Sequence, residues 1–198
     1  ACNTATALTL DTVAAESDIP IIGVINAGAR AAVSATKNGR IGVIGTDGTI
    51  NSKAYSSVLK SMNPAVEVFG KACPLFVPLV EEGLLHDTVT DEIASRYLSV
   101  LKEKYIDTLV MGCTHYPLLV DIIAEILGPK VTLVSAGEES AYELKRLLKS
   151  GGLWAGPAGQ GGTEFYVSDR PEDFERIASV FLQEDLRHTA RRIDIDQY

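Results

Sequence analysis

The sequence predicts an α/β protein with a mainly parallel sheet. Three observations lead there. Short apolar runs alternate with helical patterns along the whole chain, as βα repetition requires. Most of those runs are continuously apolar, as strands covered on both faces must be. Two cysteine motifs, Ala1-Cys2-Asn3-Thr4-Ala5 and Gly112-Cys113-Thr114-His115-Tyr116-Pro117, each stand just before a helical pattern.

In chain order, strands are expected at residues 19–25, 40–45, 66–72, 108–111, 130–135 and 164–167. Each is a run of four to seven mostly apolar residues bounded by turn-forming ones. Helices are expected at residues 4–16, 28–37, 52–61, 75–84, 90–105, 116–127, 138–149 and 171–184. Thr90 precedes Asp91 and Glu92, which suit a first turn near the positive end of the helix dipole. Pro171 fits a first helical position, and Gly128-Pro129 ends the helix before it. The Gly-rich stretch 151–162 reads as a flexible loop.

The chain has 198 residues, 46% of them hydrophobic, enough to bury a sizeable core. Its formal charge is −8, with no basic stripe, which argues against a nucleic-acid partner. No apolar run is long enough to span a membrane, and no signal peptide is present. Three widely spaced cysteines without a CxxC pair suit a reducing cytoplasm. The chain begins at Ala1-Cys2, where a strand should just have ended, and reads as a piece whose amino-terminal part is absent.

The chemistry concentrates at the two cysteine motifs. A thiol in the turn before a helix meets backbone N–H groups and the helix dipole, which favour the thiolate. In parallel sheets such turns lie at the carboxyl ends of strands, where ligands bind. Either cysteine alone reads equally well as a buried core residue. Two in matched turns suggest a pair of bases acting on one substrate. His115, two residues from Cys113, is placed to hold or pass a proton. A metal site from Cys2, Cys113 and His115 lacks a fourth ligand and the usual close spacing. His86 and His188 have no such neighbours and read as surface residues; Cys73, before Pro74 in an apolar stretch, reads as structural. The Gly45-Thr46-Asp47-Gly48-Thr49 segment reads as a turn into the next helix. It fits no phosphate-loop or dinucleotide pattern. Its backbone N–H groups suit a carboxylate, which makes Thr46 a candidate binding residue.

Ala-Cys-Asn-Thr-Ala and Gly-Cys-Thr-His-Tyr-Pro-Leu, over a hundred residues apart, resemble the two signatures of the glutamate racemases. The stretches from Ile41 to Ile50 and from Cys73 to Glu81 agree as well, in the family's order. The resemblance runs from Ala1 to about Ala141. It implies a cofactor-independent isomerase, in the cytoplasm, that interconverts L- and D-glutamate and supplies D-glutamate for peptidoglycan, and so for cell wall biogenesis and cell shape. It implies Cys2 and Cys113 as the acid/base pair. His115 would assist Cys113, and Glu81 would be the carboxylate near that thiol, with Glu82 left open. Asn3, Thr4, Thr46, Thr114 and His115 would bind the substrate. No metal is implied, and a homodimer is the candidate assembly. The family's Asp-Ser-Gly and Pro-Tyr-Gly motifs would precede Ala1. Leu133-Val134-Ser135-Ala136 departs mildly from the family's Asp-Ser. The resemblance also implies two similar α/β lobes with mainly parallel sheets and the active site in the cleft between them: one lobe would hold residues 1–24 and 136–198, the other residues 25–135. The alternatives are a related aspartate or hydantoin racemase, or a non-catalytic amino-acid-binding protein.

Overall fold

The computed structural model describes residues 1–156 and 162–197. They fall into two units, Ala1–Leu153 and Trp154–Tyr198. In the first unit, β1 (Arg40–Gly45), β2 (Glu67–Ala72), β3 (Thr108–Gly112) and β4 (Thr132–Ser135) form one parallel sheet in the order β2-β1-β3-β4. β1 and β3 are the inner strands. Their apolar runs are buried almost throughout, as covering on both faces demands.

The eight helices of this unit are α1 (Asn3–Ala15), α2 (Val24–Ala35), α3 (Asp47–Asn51), α4 (Ala54–Met62), α5 (Phe76–Glu81), α6 (Thr88–Lys102), α7 (Val120–Leu127) and α8 (Ala136–Ser150). A 3₁₀ turn, Tyr116–Leu119, leads into α7. One core cluster joins the sheet to α2 and α4 through Ile25, Ala29, Ile41, Val43, Tyr55 and Leu59. The other joins its opposite face to α5, α6 and α7 through Ile44, Phe76, Leu98, Leu109, Tyr116 and Ile123. Strand, helix and parallel strand therefore alternate on both faces of the sheet, as the sequence pattern requires.

In the second unit β5 (Phe165–Val167), α9 (Pro171–Leu182) and β6 (Ala190–Arg192) form a parallel βαβ element, followed by a 3₁₀ turn, Ile195–Gln197. The buried Glu175 carboxylate on α9 accepts the Ala190 N–H at 2.9 Å, tying helix to strand. Pro171 begins α9, as expected. Of the Gly-rich stretch expected as a loop, residues 157–161 lie outside the described residues. No helix among the described residues is long and apolar enough to cross a membrane.

Several expectations need correction. Residues 19–25 form no strand; the chain is irregular until Gly23 caps α2, which starts at Val24 rather than at residue 28. Pro20 cannot donate to a ladder. Val24 and Ile25 are buried as helix residues, and a short apolar run does not separate those two states. The turn expected at residues 45–49 is a short helix, α3, with Thr46 as its N-cap. The α6 start lies two residues before Thr90, because the Asp87 carboxylate accepts the Val89 N–H at 2.8 Å and caps the helix. β6 was not expected: Ala190-Arg191-Arg192 has no apolar run.

The amino end of the sheet is fixed by Asp107, which precedes β3. Its carboxylate accepts from the Thr36 hydroxyl at 2.6 Å, the Lys37 N–H at 2.6 Å and the Asn38 N–H at 2.7 Å, gathering the turn between α2 and β1. Burial works to raise its carboxyl, but the bonds from Thr36, Asn38, Lys37 and Thr108 outweigh it and hold the group below its ordinary 3.8. A depressed carboxyl contributes stability that is present above its unfolded value and lost as pH falls through the lower native one. Asp107→Asn is therefore expected to cost about 1–2 kcal/mol at neutral pH. Denaturant unfolding across pH should show the gap to the parent narrowing below pH 3.8.

Candidate active site

The parallel register sets the carboxyl ends of the strands level. Gly45 pairs with Ala72 on one side and with Gly112 on the other, and Met111 pairs with Ser135. The residues that follow, Thr46, Cys73, Cys113 and Ala136, thus leave the sheet together along one edge. This close spacing depends on glycine. A Cβ on Gly112 would lie 2.8 Å from the Ile44 carbonyl oxygen, and one on Gly45 3.3 Å from the Gly112 oxygen.

Cys113 follows Gly112 directly and is buried, 8% exposed. Burial pushes its thiol up. Backbone hydrogen bonds from His115 and Tyr116 and the Thr114 hydroxyl work the other way, and the negative charge of Cys2 adds to the rise. The net direction is up. Here the structure corrects the sequence reading, in which the turn favoured the thiolate: at Cys113 desolvation wins over the N–H groups.

His115 stands beside this thiol. Its Nδ1 lies 3.9 Å from Cys113 Sγ and 3.3 Å from the Thr114 hydroxyl. Its Nε2 lies 2.6 Å from Oε1 of Glu81, at the end of α5. Of the two acidic neighbours, Glu81 is the one that meets His115, while Glu82 caps α5 and is exposed. With the Glu81 carboxylate as its partner, Nε2 is the nitrogen that donates, and Nδ1 faces the Cys113 sulfur.

Cys2 is the N-cap of α1, and its Sγ accepts the Ala5 N–H at 3.4 Å. It is exposed, in contrast to Cys113. Three side-chain contacts bring the start of α1 to the sheet edge. The Thr4 hydroxyl lies 2.7 Å from that of Thr46 and 3.1 Å from that of Thr49. The Thr46 and Thr49 hydroxyls are themselves 3.2 Å apart, and Thr49 is buried. Asn3, 3% exposed, accepts the Tyr55 hydroxyl on Oδ1 at 2.6 Å. The structure thus brings Cys2, Asn3, Thr4, Thr46, Cys113, Thr114, His115 and Glu81 to one edge of one unit.

Cys73 leaves the same edge but points into the core. It is fully buried, and burial pushes its thiol up to about 12, against the lowering effect of Lys71. Its carbonyl accepts the Tyr116 hydroxyl at 2.9 Å. His86 and His188 are exposed. Among the described residues no group of three or more His, Cys, Asp or Glu side chains is arranged to hold a metal ion.

Two residues of this edge, Thr49 and Tyr55, were not singled out in the sequence. The only available signal for Tyr55 is chemical. A tyrosine at a core position of an amphipathic helix needs a partner for its hydroxyl.

The chain is similar to known proteins over most of its length. The sequence pattern of the Asp/Glu/Hydantoin racemases matches residues 1–142, a stretch that contains every residue of this edge. A glutamate racemase of Geobacter metallireducens is 48% identical over 182 residues, which span 92% of this chain and 67% of that protein. One from Enterococcus faecalis is 45% identical over 183 residues, 92% of this chain and 67% of its own. Among solved structures, a glutamate racemase isoform from Bacillus anthracis superposes with a TM-score of 0.92 at 39% identity, over 98% of this chain and 72% of that one. A Francisella tularensis glutamate racemase, solved in complex with D-glutamate, does so with a TM-score of 0.89 at 35% identity, over 100% of this chain and 73% of that one. With a family pattern matched over most of its length and relatives this similar, the chain belongs to the Asp/Glu/Hydantoin racemase family.

Proposed function

We propose that this protein is a glutamate racemase, an isomerase that inverts the Cα of glutamate with two thiols. The observation that carries the reading is the pairing of Cys2 and Cys113. Cys113 leaves the sheet edge directly after Gly112, and Cys2 caps α1, whose next residues Asn3 and Thr4 are bonded to Tyr55, Thr46 and Thr49 at that edge. Relatives that bear the name glutamate racemase support the choice of glutamate among small-molecule substrates.

Inversion requires that a proton leave Cα from one face and another arrive at the opposite face. A single base cannot easily serve both; two opposed monoprotic groups can. In one direction a thiolate takes the Cα proton while the facing thiol gives its own, and each then holds what the reverse reaction needs. Cys113, whose thiol burial pushes up, is suited to give a proton. To act as the base it must first lose one, and His115 Nδ1, with Glu81 behind Nε2, is the acceptor within reach. The charge that develops on Cα spreads into the substrate carboxylate. Asn3, Thr4, Thr46 and Thr114 supply amide and hydroxyl donors to hold it. No cofactor enters this scheme. The substrate would lie between two lobes, residues 1–24 with 136–198 and residues 25–135. The enzyme would work in the cytoplasm and feed D-glutamate to peptidoglycan synthesis, as the family does.

Two predictions test the thiol assignments. In the full-length protein, Cys2→Ser or Cys113→Ser should lower glutamate racemisation by about 10²–10⁴-fold or more, because a positioned acid or base contributes that much and serine is a far weaker base. Polarimetry or a coupled D-glutamate assay reads the loss, and near-parental rates in either variant would end the two-thiol reading. Cys73→Ala should keep substantial activity. In the parent, mass-spectrometric mapping after iodoacetamide at neutral pH should leave Cys73 unmodified, since its thiol is buried and protonated.

A further inference from the structure

Tyr55 touches both thiol-bearing turns although it belongs to neither. It is 52 residues from Asn3 in sequence, and its hydroxyl donates to Asn3 Oδ1 at 2.6 Å with both residues 3% exposed. Asn3 follows Cys2 directly. At the other end of the residue the ring lies against Gly112, which precedes Cys113: a Cβ there would meet Tyr55 Cε2 at 3.0 Å. The hydroxyl is also enclosed by α2, since a Cβ on Gly28 would lie 3.3 Å from it.

Resting on the racemase reading, we infer that Tyr55 is a positioning residue, which fixes the Asn3 amide so that its NH₂ faces the substrate carboxylate and holds the Cys2 turn at its distance from the Cys113 turn. The chemistry is one of satisfied donors. The phenol proton is given to Asn3 Oδ1, which turns the Asn3 NH₂ away from the ring, and among the described residues no buried side-chain polar atom is left without a partner. Turning the amide over would leave a buried phenol proton unpaired and would aim a carbonyl oxygen at a carboxylate. Both changes are unfavourable. The hydrogen bond therefore selects one of the two amide orientations before substrate arrives, and that orientation is the one an anionic substrate needs. Thr4, one residue further along α1, is anchored to Thr46 and Thr49. Two separate contacts thus hold the first turn of α1.

The test is a double-mutant cycle in the full-length protein with Tyr55→Phe, Asn3→Ala and both together, assayed with L- and D-glutamate. Tyr55→Phe keeps the ring on Gly112 and removes only the hydroxyl. It is expected to raise KM about tenfold, the effect of one lost hydrogen bond to an oriented group, with a smaller change in kcat. The double variant is expected to be no more than about twofold worse than Asn3→Ala, because Tyr55 acts through Asn3. A merely structural role would lower the amount of active enzyme, and so kcat, leave KM alone and multiply with Asn3→Ala. That result, or an unchanged KM in Tyr55→Phe, overturns the assignment. Should Tyr55→Phe fail to fold, Asn3→Asp decides: its carboxylate still accepts the phenol proton but turns an oxygen to the substrate. It is expected to fold with a Tm near the parent and to raise KM at least tenfold beyond Asn3→Ala; parental KM overturns the assignment. A parent that does not racemise glutamate, or that does so without Cys2 or Cys113, would instead defeat the racemase reading and is scored first.

Discussion

The close approach of β1 and β3 at their carboxyl ends is the constraint on which the rest of this protein depends. Gly45 and Gly112 are register partners, and Gly112 leaves no room for a Cβ against the Ile44 carbonyl. With these strands flush, the chain leaves both at the same height, and Thr46 and Cys113 emerge as neighbours. The bulky apolar residues before them, Val43 and Ile44 on β1 and Val110 and Met111 on β3, are buried on alternating faces and hold the strands there. Packing of the two cores thus becomes precision at the edge, where chemistry requires rigid placement.

Onto that edge the sequence adds a helix from far away in the chain. The first turn of α1 is held by hydroxyls and one amide rather than by apolar contact. The Thr4, Thr46 and Thr49 hydroxyls and the Asn3–Tyr55 pair are short, directional and partly or wholly buried. Only Asn3 of α1 is buried. Bonds of this kind specify orientation better than hydrophobic burial does. The two thiols also differ in setting. Cys2 is exposed at its helix start, whereas Cys113 is buried, which pushes its thiol up, and His115 and Glu81 stand in line behind it.

Much of this was legible in the sequence, and for physical reasons. The continuous apolar runs of β1 and β3 can only be strands covered on both faces. The Cys113 motif announced itself because a thiol and small polar residues after an apolar run mark the turn out of a strand, and the Cys2 motif marked the start of α1. Pro171, Gly128 and Pro129 ended or began helices where their backbone limits require. What was not legible depends on contacts distant in sequence. Residues 19–25 have the composition of a strand, yet Pro20 and the cap at Gly23 break them, and Val24 and Ile25 are taken up by α2. β6 has no apolar signal because its pairing with β5 is decided by α9 and the Glu175 carboxylate. The net rise at Cys113 reflects how deeply Gly112 carries it into the core, which no local pattern records. Tyr55 reads as one more core aromatic until Asn3 is seen at its hydroxyl.

The two-thiol mechanism is tested most directly by following the Cα hydrogen in deuterated water. Protiated L-glutamate is supplied, and the early D-glutamate is analysed by mass spectrometry before the reverse reaction contributes. Each thiol is monoprotic, so the proton taken from one face stays on the thiol that took it. The hydrogen given to the other face comes from a thiol already exchanged with solvent. The prediction is D-glutamate fully deuterated at Cα from the first turnovers, beside residual L-glutamate that remains protiated. Early D-glutamate that keeps its protium would mean that one base carries the same proton across, and would contradict the assignment of Cys2 and Cys113 to opposite faces of the substrate.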